Sequence, residues 1–206
     1  MELLTIPEWA WEFHGHHCPF MPIGFRMGTI ALRELGIGKV ADHGVYALPE
    51  IGIGHPQTCM ADGIQVATGC TYGKMLMERT DYGKIAFTLF APGVGAVRVA
   101  TQTGFQDTLG SYEFFAYRKR GIEPSQIPWE VTGPAVEYVL TTPEDQAFLL
   151  SRPEDITFSR PKNSFAKVRC EDCGEYVFER YIRIRDGKHL CIPCSHYRDE
   201  AARGTV

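Results

Sequence analysis

No stretch of about eighteen apolar residues occurs anywhere in the 206-residue chain, so nothing in it reads as a membrane span. The first residues, MELLTIPEWAWEF, lack the basic start of a secretory leader. There is no overall basic field either. Lys and Arg number 21 against 25 Asp and Glu, a net charge of -4, which argues against nucleic acid as a partner for the chain as a whole. Cysteines in the even number of a disulfide framework are also missing. The seven present suit reduced thiols and a cytoplasmic setting. Neither common nucleotide fingerprint is complete. GCTYGKM is one residue short of a phosphate loop and has Met75 where that loop needs Ser or Thr, and Gly93 and Gly95 have no third glycine in register. No internal repeat or low-complexity tract is found.

What remains is an ordinary globular composition, 44% apolar and 22% charged, enough for a real core. A short helix is expected over 6–14, opening on Pro7. A stronger one is expected from Pro19 to Leu35, where Ile23, Met27, Ile30 and Ala31 fall at helical spacing and Gly36 follows as a stop. Residues 43–51 read as extended, and Met60 to Thr68 as a third helix. KIAFTLFA (84–91) and VGAVRVATQ (94–102) read as strands joined by a turn at Pro92-Gly93. Residues 105–120 read as helical, and 134–150 as a weaker helix interrupted by Pro143. The expected fold is an α+β core domain over 1–150, a proline-bearing linker over 151–164, and a small treble-clef zinc finger over 165–206.

The finger carries the most specific signal. CEDCGEYVFERYIRIRDGKHLCIPC gives C-x2-C, a gap of 17 residues and C-x2-C. Each short turn aims two sulfurs at one point, so Cys170, Cys173, Cys191 and Cys194 form a tetrahedral thiolate set for structural zinc. Iron held by the same four thiolates is the rival. Between the knuckles YVFERYIRIRDGKHL reads as a hairpin turning at Asp186-Gly187, and SHYRDEAARG as a short closing helix. From Arg160 onward ten basic residues face seven acidic ones, a net of +3, which leaves -7 for the rest. Ordinary surface scatter explains that split as well as partner binding does.

The second signal is FHGHHCPF, which packs His14, His16, His17 and Cys18 into five positions just before the second helix. Cys59 precedes the third helix in the same way. A cysteine at a helix N-terminus feels the positive end of the dipole, which favours thiolate. If the two helix starts face one another, His16, Cys18 and Cys59 hold a transition metal, zinc or similar, with one coordination position open, the arrangement of a catalytic site. Asp62 is then the candidate acid/base and His14 the candidate proton shuttle. Lys74 and Lys84 are candidates to hold the anionic group of a pterin-like small-molecule ligand. Taken alone, Cys59 or Cys70 reads as a small core hydrophobe, which leaves Cys70 open between ligand and core. Trp9, Trp11 and Phe13 read as packing. Thiol exchange among Cys18, Cys59 and Cys70 is a third chemistry, disfavoured by the neighbouring histidines.

HGHHCPFMPIGFRMG, CMADGIQVATGCTYGK and DYGKIAF together resemble the FmdE family, named for a component of molybdenum formylmethanofuran dehydrogenase. The first family motif falls on His14, Gly15, His16, Cys18, Pro19, Gly24 and Arg26. The second falls on Cys59, Asp62, Thr68, Gly69, Cys70, Thr71, Gly73 and Lys74. Phe20 stands where the family usually has glycine. The resemblance covers about the first 100 residues, and the tail resembles an auxiliary finger that some members carry. It implies an α+β core, a metal-associated cleft and a homodimer. Function transfers less well than fold. Two readings follow: a metalloenzyme or accessory subunit of a one-carbon oxidoreductase, and a non-catalytic adaptor whose finger docks on a protein partner or nucleic acid.

Overall fold

The computed structural model describes residues 4–52, 54, 57–156, 158 and 164–197. The chain divides into two compact units, 1–156 and 157–206.

The first unit opens with α1, Glu8–His14, which ends on Gly15 at φ 83°. Only glycine adopts that left-handed conformation without cost, and it turns the chain sharply after the helix. Next comes α2, Phe20–Leu35, with 13 of its 16 residues buried. A helix that is covered on every side is the centre of its domain. It packs on α3, Met60–Thr68, and on strands β2, Ala86–Ala91, and β3, Gly95–Thr101. With β1, Tyr46–Pro49, and β4, Phe148–Ser151, these strands form an antiparallel sheet in the order β1-β2-β3-β4. The turn at Pro92-Gly93 sets the β2–β3 register, with Phe87 opposite Val99 and Leu89 opposite Val97. Met21, Ile23, Met27 and Ile30 of α2 and Phe87, Leu89, Val97 and Val99 of the sheet are fully or almost fully buried. Each contributes roughly 1.5–3 kcal/mol by leaving water.

The contact between α2 and α3 is made backbone to backbone. A methyl group on Gly24 would stand 2.0 Å from the Met60 carbonyl oxygen, and one on Gly63 would stand 2.0 Å from that of Met21. Gly28 lies against Ala67, Thr68 and Ile64. The contacts advance together along both helices, so α2 and α3 run in the same direction with their N-termini at one end.

Between β3 and β4 the chain forms α4, Thr103–Gly110, α5, Glu113–Lys119, α6, Trp129–Thr141, and α7, Glu144–Ala147. The helical signal over 105–120 is therefore two helices, broken at Ser111-Tyr112. The weak helix expected over 134–150 is corrected more deeply. α6 starts five residues earlier with Pro134 inside it, and the chain beyond Pro143 makes one helical turn and then β4. Phe-Leu-Leu-Ser does not alternate, so periodicity could not mark it as a strand. Pairing with β3, Ala100 opposite Leu149, decides its conformation. Arg26 on α2 reaches across to the end of α6. Its guanidinium donates to the carbonyls of Val139 and Thr142, the latter at 2.8 Å, and lies 5.0 Å over the Phe148 ring. These partners compensate its burial, which alone lowers its pKa.

The second unit holds two small ribbons. β5, Lys167–Arg169, pairs with β6, Tyr176–Phe178, across the first knuckle, and β7, Arg183–Arg185, pairs with β8, Lys188–Leu190. The single hairpin expected between the knuckles is thus divided. Its first strand pairs backward with the residues before Cys170, and a 3-10 turn over Glu179–Tyr181 separates it from the second ribbon. The Asp186-Gly187 turn is where the sequence placed it, with φ of 52° and 76°. The closing helix α8, Ile192–Ser195, begins between the last two cysteines rather than after them, and His196 in a left-handed conformation ends it. The rest of the helix expected there lies outside the described residues. Among the described residues no helix is long and apolar enough to cross a membrane.

Candidate metal centres

Parallel packing of α2 and α3 places Cys18, two residues ahead of α2, beside Cys59, the residue that opens α3. The turn at Gly15 brings His14 and His16 to the same point. The donor atoms of His14, His16, Cys18 and Cys59 all lie within 4.8 Å of one another. The Cys18 sulfur is 3.5 Å from His14 Nε2, and the Cys59 sulfur is 3.9 Å from His16 Nε2. Zinc–sulfur and zinc–nitrogen bonds of ~2.3 and ~2.0 Å put such atoms about 3.6 Å apart around a tetrahedral ion. The donor set fits zinc in number, chemistry and spacing.

His14 is the addition to the three donors expected from the sequence. Its Nδ1 donates to Asp62 Oδ2 at 2.8 Å, and its side chain is 4% exposed. That bond fixes the tautomer and leaves Nε2 facing the sulfurs, the usual way a carboxylate orients a ligating histidine. Asp62 is held in turn by Gln65, whose Nε2 donates to Oδ1 at 3.1 Å, and Gln65 Oε1 accepts from the Tyr72 amide at 2.9 Å. Asp62 and His14 are thus one unit. Spacing hinted at it, since Asp62 and Gln65 lie one turn apart on α3. His17 turns away, with its ring between Trp11 at 4.7 Å and Trp129 at 5.2 Å.

Electrostatics divides the two sulfurs. Burial, then the neighbouring Cys59, push the Cys18 thiol well above its usual range. Donation from Cys18, set against burial and aided by His14 and His16, draws Cys59 down to about 2. Burial opposes a charged His14, but the hydrogen bonds to Asp62 and Cys59 outweigh it and its pKa is pushed up to about 9. Without metal, then, the cluster holds a thiolate, a thiol and an imidazolium.

The other residues singled out from the sequence lie elsewhere. Cys70 is fully buried with its sulfur 3.6 Å from the Val45 carbonyl oxygen, outside both clusters, and is a core residue. The TGCTYGK segment holds a loop in place. Val40 donates its amide to the Thr68 carbonyl at 2.8 Å, and Lys74 Nζ donates to the carbonyls of Val40 and Ala41 at 3.2 and 2.9 Å. Lys84 is exposed, and its amide donates to the Glu50 carbonyl. Phe20 is buried edge-on against Phe115, so the side chain that departs from the family pattern fills core. Trp11 packs as expected, whereas Trp9 and Phe13 are 51% and 60% exposed.

In the second unit the sulfurs of Cys170, Cys173, Cys191 and Cys194 likewise lie within 4.8 Å of one another, with Cys173 and Cys191 3.9 Å apart. Backbone amides aim at them. Cys191 donates to the Cys170 sulfur at 3.3 Å and Cys194 to that of Cys191 at 3.4 Å. Amides of Cys191 and Cys173 draw Cys170 down to about 6, while Cys194, sharing a proton with the Cys191 sulfur, is pushed up to about 12.

Residues 13–149 match the family model described as "FmdE, Molybdenum formylmethanofuran dehydrogenase operon". The chain belongs to the FmdE family. Residues 163–200 match the prokaryotic dksA/traR C4-type zinc finger, which together with the four-cysteine cluster supports a structural zinc. A probable S-adenosyl-L-methionine-binding protein of Archaeoglobus fulgidus is 34% identical over 209 residues. That match covers 96% of this chain and 54% of the archaeal protein, so the FmdE-family chain spans about half the length of its relative. The crystal structure of an FmdE-like protein of tungsten formylmethanofuran dehydrogenase from Syntrophus aciditrophicus shares the fold at a TM-score of 0.58. It is 23% identical, with 91% of this chain and 88% of that one covered.

Proposed function

We propose that this metal-binding FmdE-family protein carries two ions per chain. A structural zinc sits on Cys170, Cys173, Cys191 and Cys194, and a second ion, zinc or a similar transition metal, sits on His14, His16, Cys18 and Cys59. The observation that carries the reading is the convergence of four soft donors at the paired N-termini of two parallel helices, with Asp62 orienting one of them. Four donors close a tetrahedral shell, so a substrate reaches the ion by adding a fifth ligand or displacing one of the four. We assign Asp62 to orienting His14 and taking up its proton rather than to acting on substrate directly. Elemental analysis of the purified full chain gives two metals per chain, and the Cys18→Ser/Cys59→Ser double variant gives one. A single metal unaffected by that double change would overturn the reading.

The family's operon association supports an accessory or metalloenzyme role beside a one-carbon oxidoreductase, with a protein component of that system as the partner and a homodimer as the assembly. The seven free cysteines suit a cytoplasmic setting. The adaptor reading has its own support in the finger. Lys167, Arg169, Tyr176 and Phe178 pair across β5 and β6 and are all exposed. Pull-down of a partner by the full chain, lost when Tyr176 and Phe178 are replaced by Ser but kept in the Cys18→Ser/Cys59→Ser variant, separates this role from the core's.

A further inference from the structure

Beside the core cluster lies a recess of about 250 Å³. Trp9 and Phe13, one turn apart on α1, form one wall, with Gln65 and Val66 of α3 beneath them and Lys39 and Lys74 at the rim. Both aromatic rings are more than half exposed, although the domain has a full core in which such rings normally sit. Lys39 Nζ stands 5.4 Å over the Trp9 ring, and among the described residues no carboxylate lies within ion-pair distance of it. Lys74, anchored on the Val40 and Ala41 carbonyls, places a second ammonium at the same rim. The volume is at the low end for ligand pockets, ~300–1,000 Å³, which suits one ring system and not a dinucleotide.

Exposed aromatic faces attract planar π systems, and ammonium groups beside them attract anions. We propose that this recess binds a planar heteroaromatic ring carrying an anionic group, stacked on Trp9 and Phe13 with its charge against Lys39 and Lys74. The site goes beyond the metal-centre reading and does not require it. Gln65, which lines the recess, hydrogen-bonds Asp62, and Asp62 hydrogen-bonds His14, so an occupant sits one short chain of bonds from the cluster.

The test is titration calorimetry on the full chain with AMP and with indole-3-carboxylate. Adenosine serves as the ring without the anion, inorganic phosphate as the anion without the ring, and S-adenosyl-L-methionine as the same ring bearing a sulfonium. At least one of the two ring anions binds more tightly than phosphate, and adenosine and S-adenosyl-L-methionine bind more weakly than AMP. Trp9→Ala weakens the ring anions roughly tenfold, as loss of one stacking partner does. Lys39→Ala weakens AMP toward adenosine and leaves adenosine unchanged. Both side chains are exposed, so neither change disturbs the core. Neither ring anion exceeding phosphate, indifference to Trp9→Ala, or S-adenosyl-L-methionine binding more tightly than AMP would each overturn the proposal. The metal count of the same preparations reports separately on the core cluster.

Discussion

The His14–Asp62 bond shows how one residue shapes a metal site without touching the metal. Asp62→Ala leaves all four donors in place but frees the His14 ring to turn and to change tautomer. Core zinc affinity is expected to fall 10–100-fold, measured by competition with a chromophoric chelator, with the finger's zinc unchanged. The protonation pattern carries a second expectation. Metal must displace the proton that burial keeps on Cys18 and the one that Asp62 and Cys59 keep on His14. Below about pH 9 both protons compete with the ion, so affinity rises with pH across pH 6 to 8 and each bound ion releases protons to buffer. Calorimetry in buffers of different ionisation enthalpy measures that release, and an affinity flat over this range would contradict the assignment. Much of this scale was legible in the sequence: His16, Cys18 and Cys59 announced themselves by type and by position ahead of helices. His14 was legible only as a nearby titratable group. Its place among the donors depends on the turn at Gly15 and on Asp62, 48 residues away, and no local pattern encodes either.

At the scale of elements, the α2–α3 contact sets the geometry of the core site. Gly63→Ala would force a methyl group into the Met21 carbonyl, with the Phe25 amide nitrogen 2.5 Å from the same point. The backbones must then part, at a cost of about 1–3 kcal/mol of core stability, more if the helices cannot slide. Because Cys18 and Cys59 ride on different helices, the variant should lose core metal while keeping the finger's. Denaturant melts and elemental analysis check the two effects. Both helices could be read from the sequence almost to the residue, since apolar spacing and the glycines that follow them are local signals. Their mutual direction could not. Gly24, Gly28 and Gly63 were visible as small residues inside helical patterns, but what they approach is set by the return of the chain through β1. β4 was missed for the same reason, as an edge strand that owes its conformation to a partner 50 residues earlier.

For the molecule as a whole, the two units use metal differently. The first buries a continuous core from Ile6 to Phe148, built around α2. In the second the buried apolar group is little more than Cys170, Leu190 and Cys191, with Val177 and Cys194 against them. So few side chains cannot hold a module of this size together without its ion. Chelation with EDTA is therefore expected to unfold residues 157–206 and leave the first unit folded. Hydrogen exchange resolves the two, with protection lost around β5–β8 and kept in α2 and β3. Loss of protection throughout would show that the core also depends on metal. Composition foretold this contrast better than it foretold any single contact, because four cysteines in knuckle spacing carry the finger's architecture in one local motif.

The touching backbones of Gly24 and Gly63 have one more consequence. A jaw hinged on two helices that cannot separate keeps its shape when empty, so the core should exchange its ion one bond at a time, with no unfolding step on the way. The finger surrenders its zinc only by coming apart. A single chain would then hold a fast-equilibrating ion and a slow one, and the fast one would follow the free metal level of its surroundings.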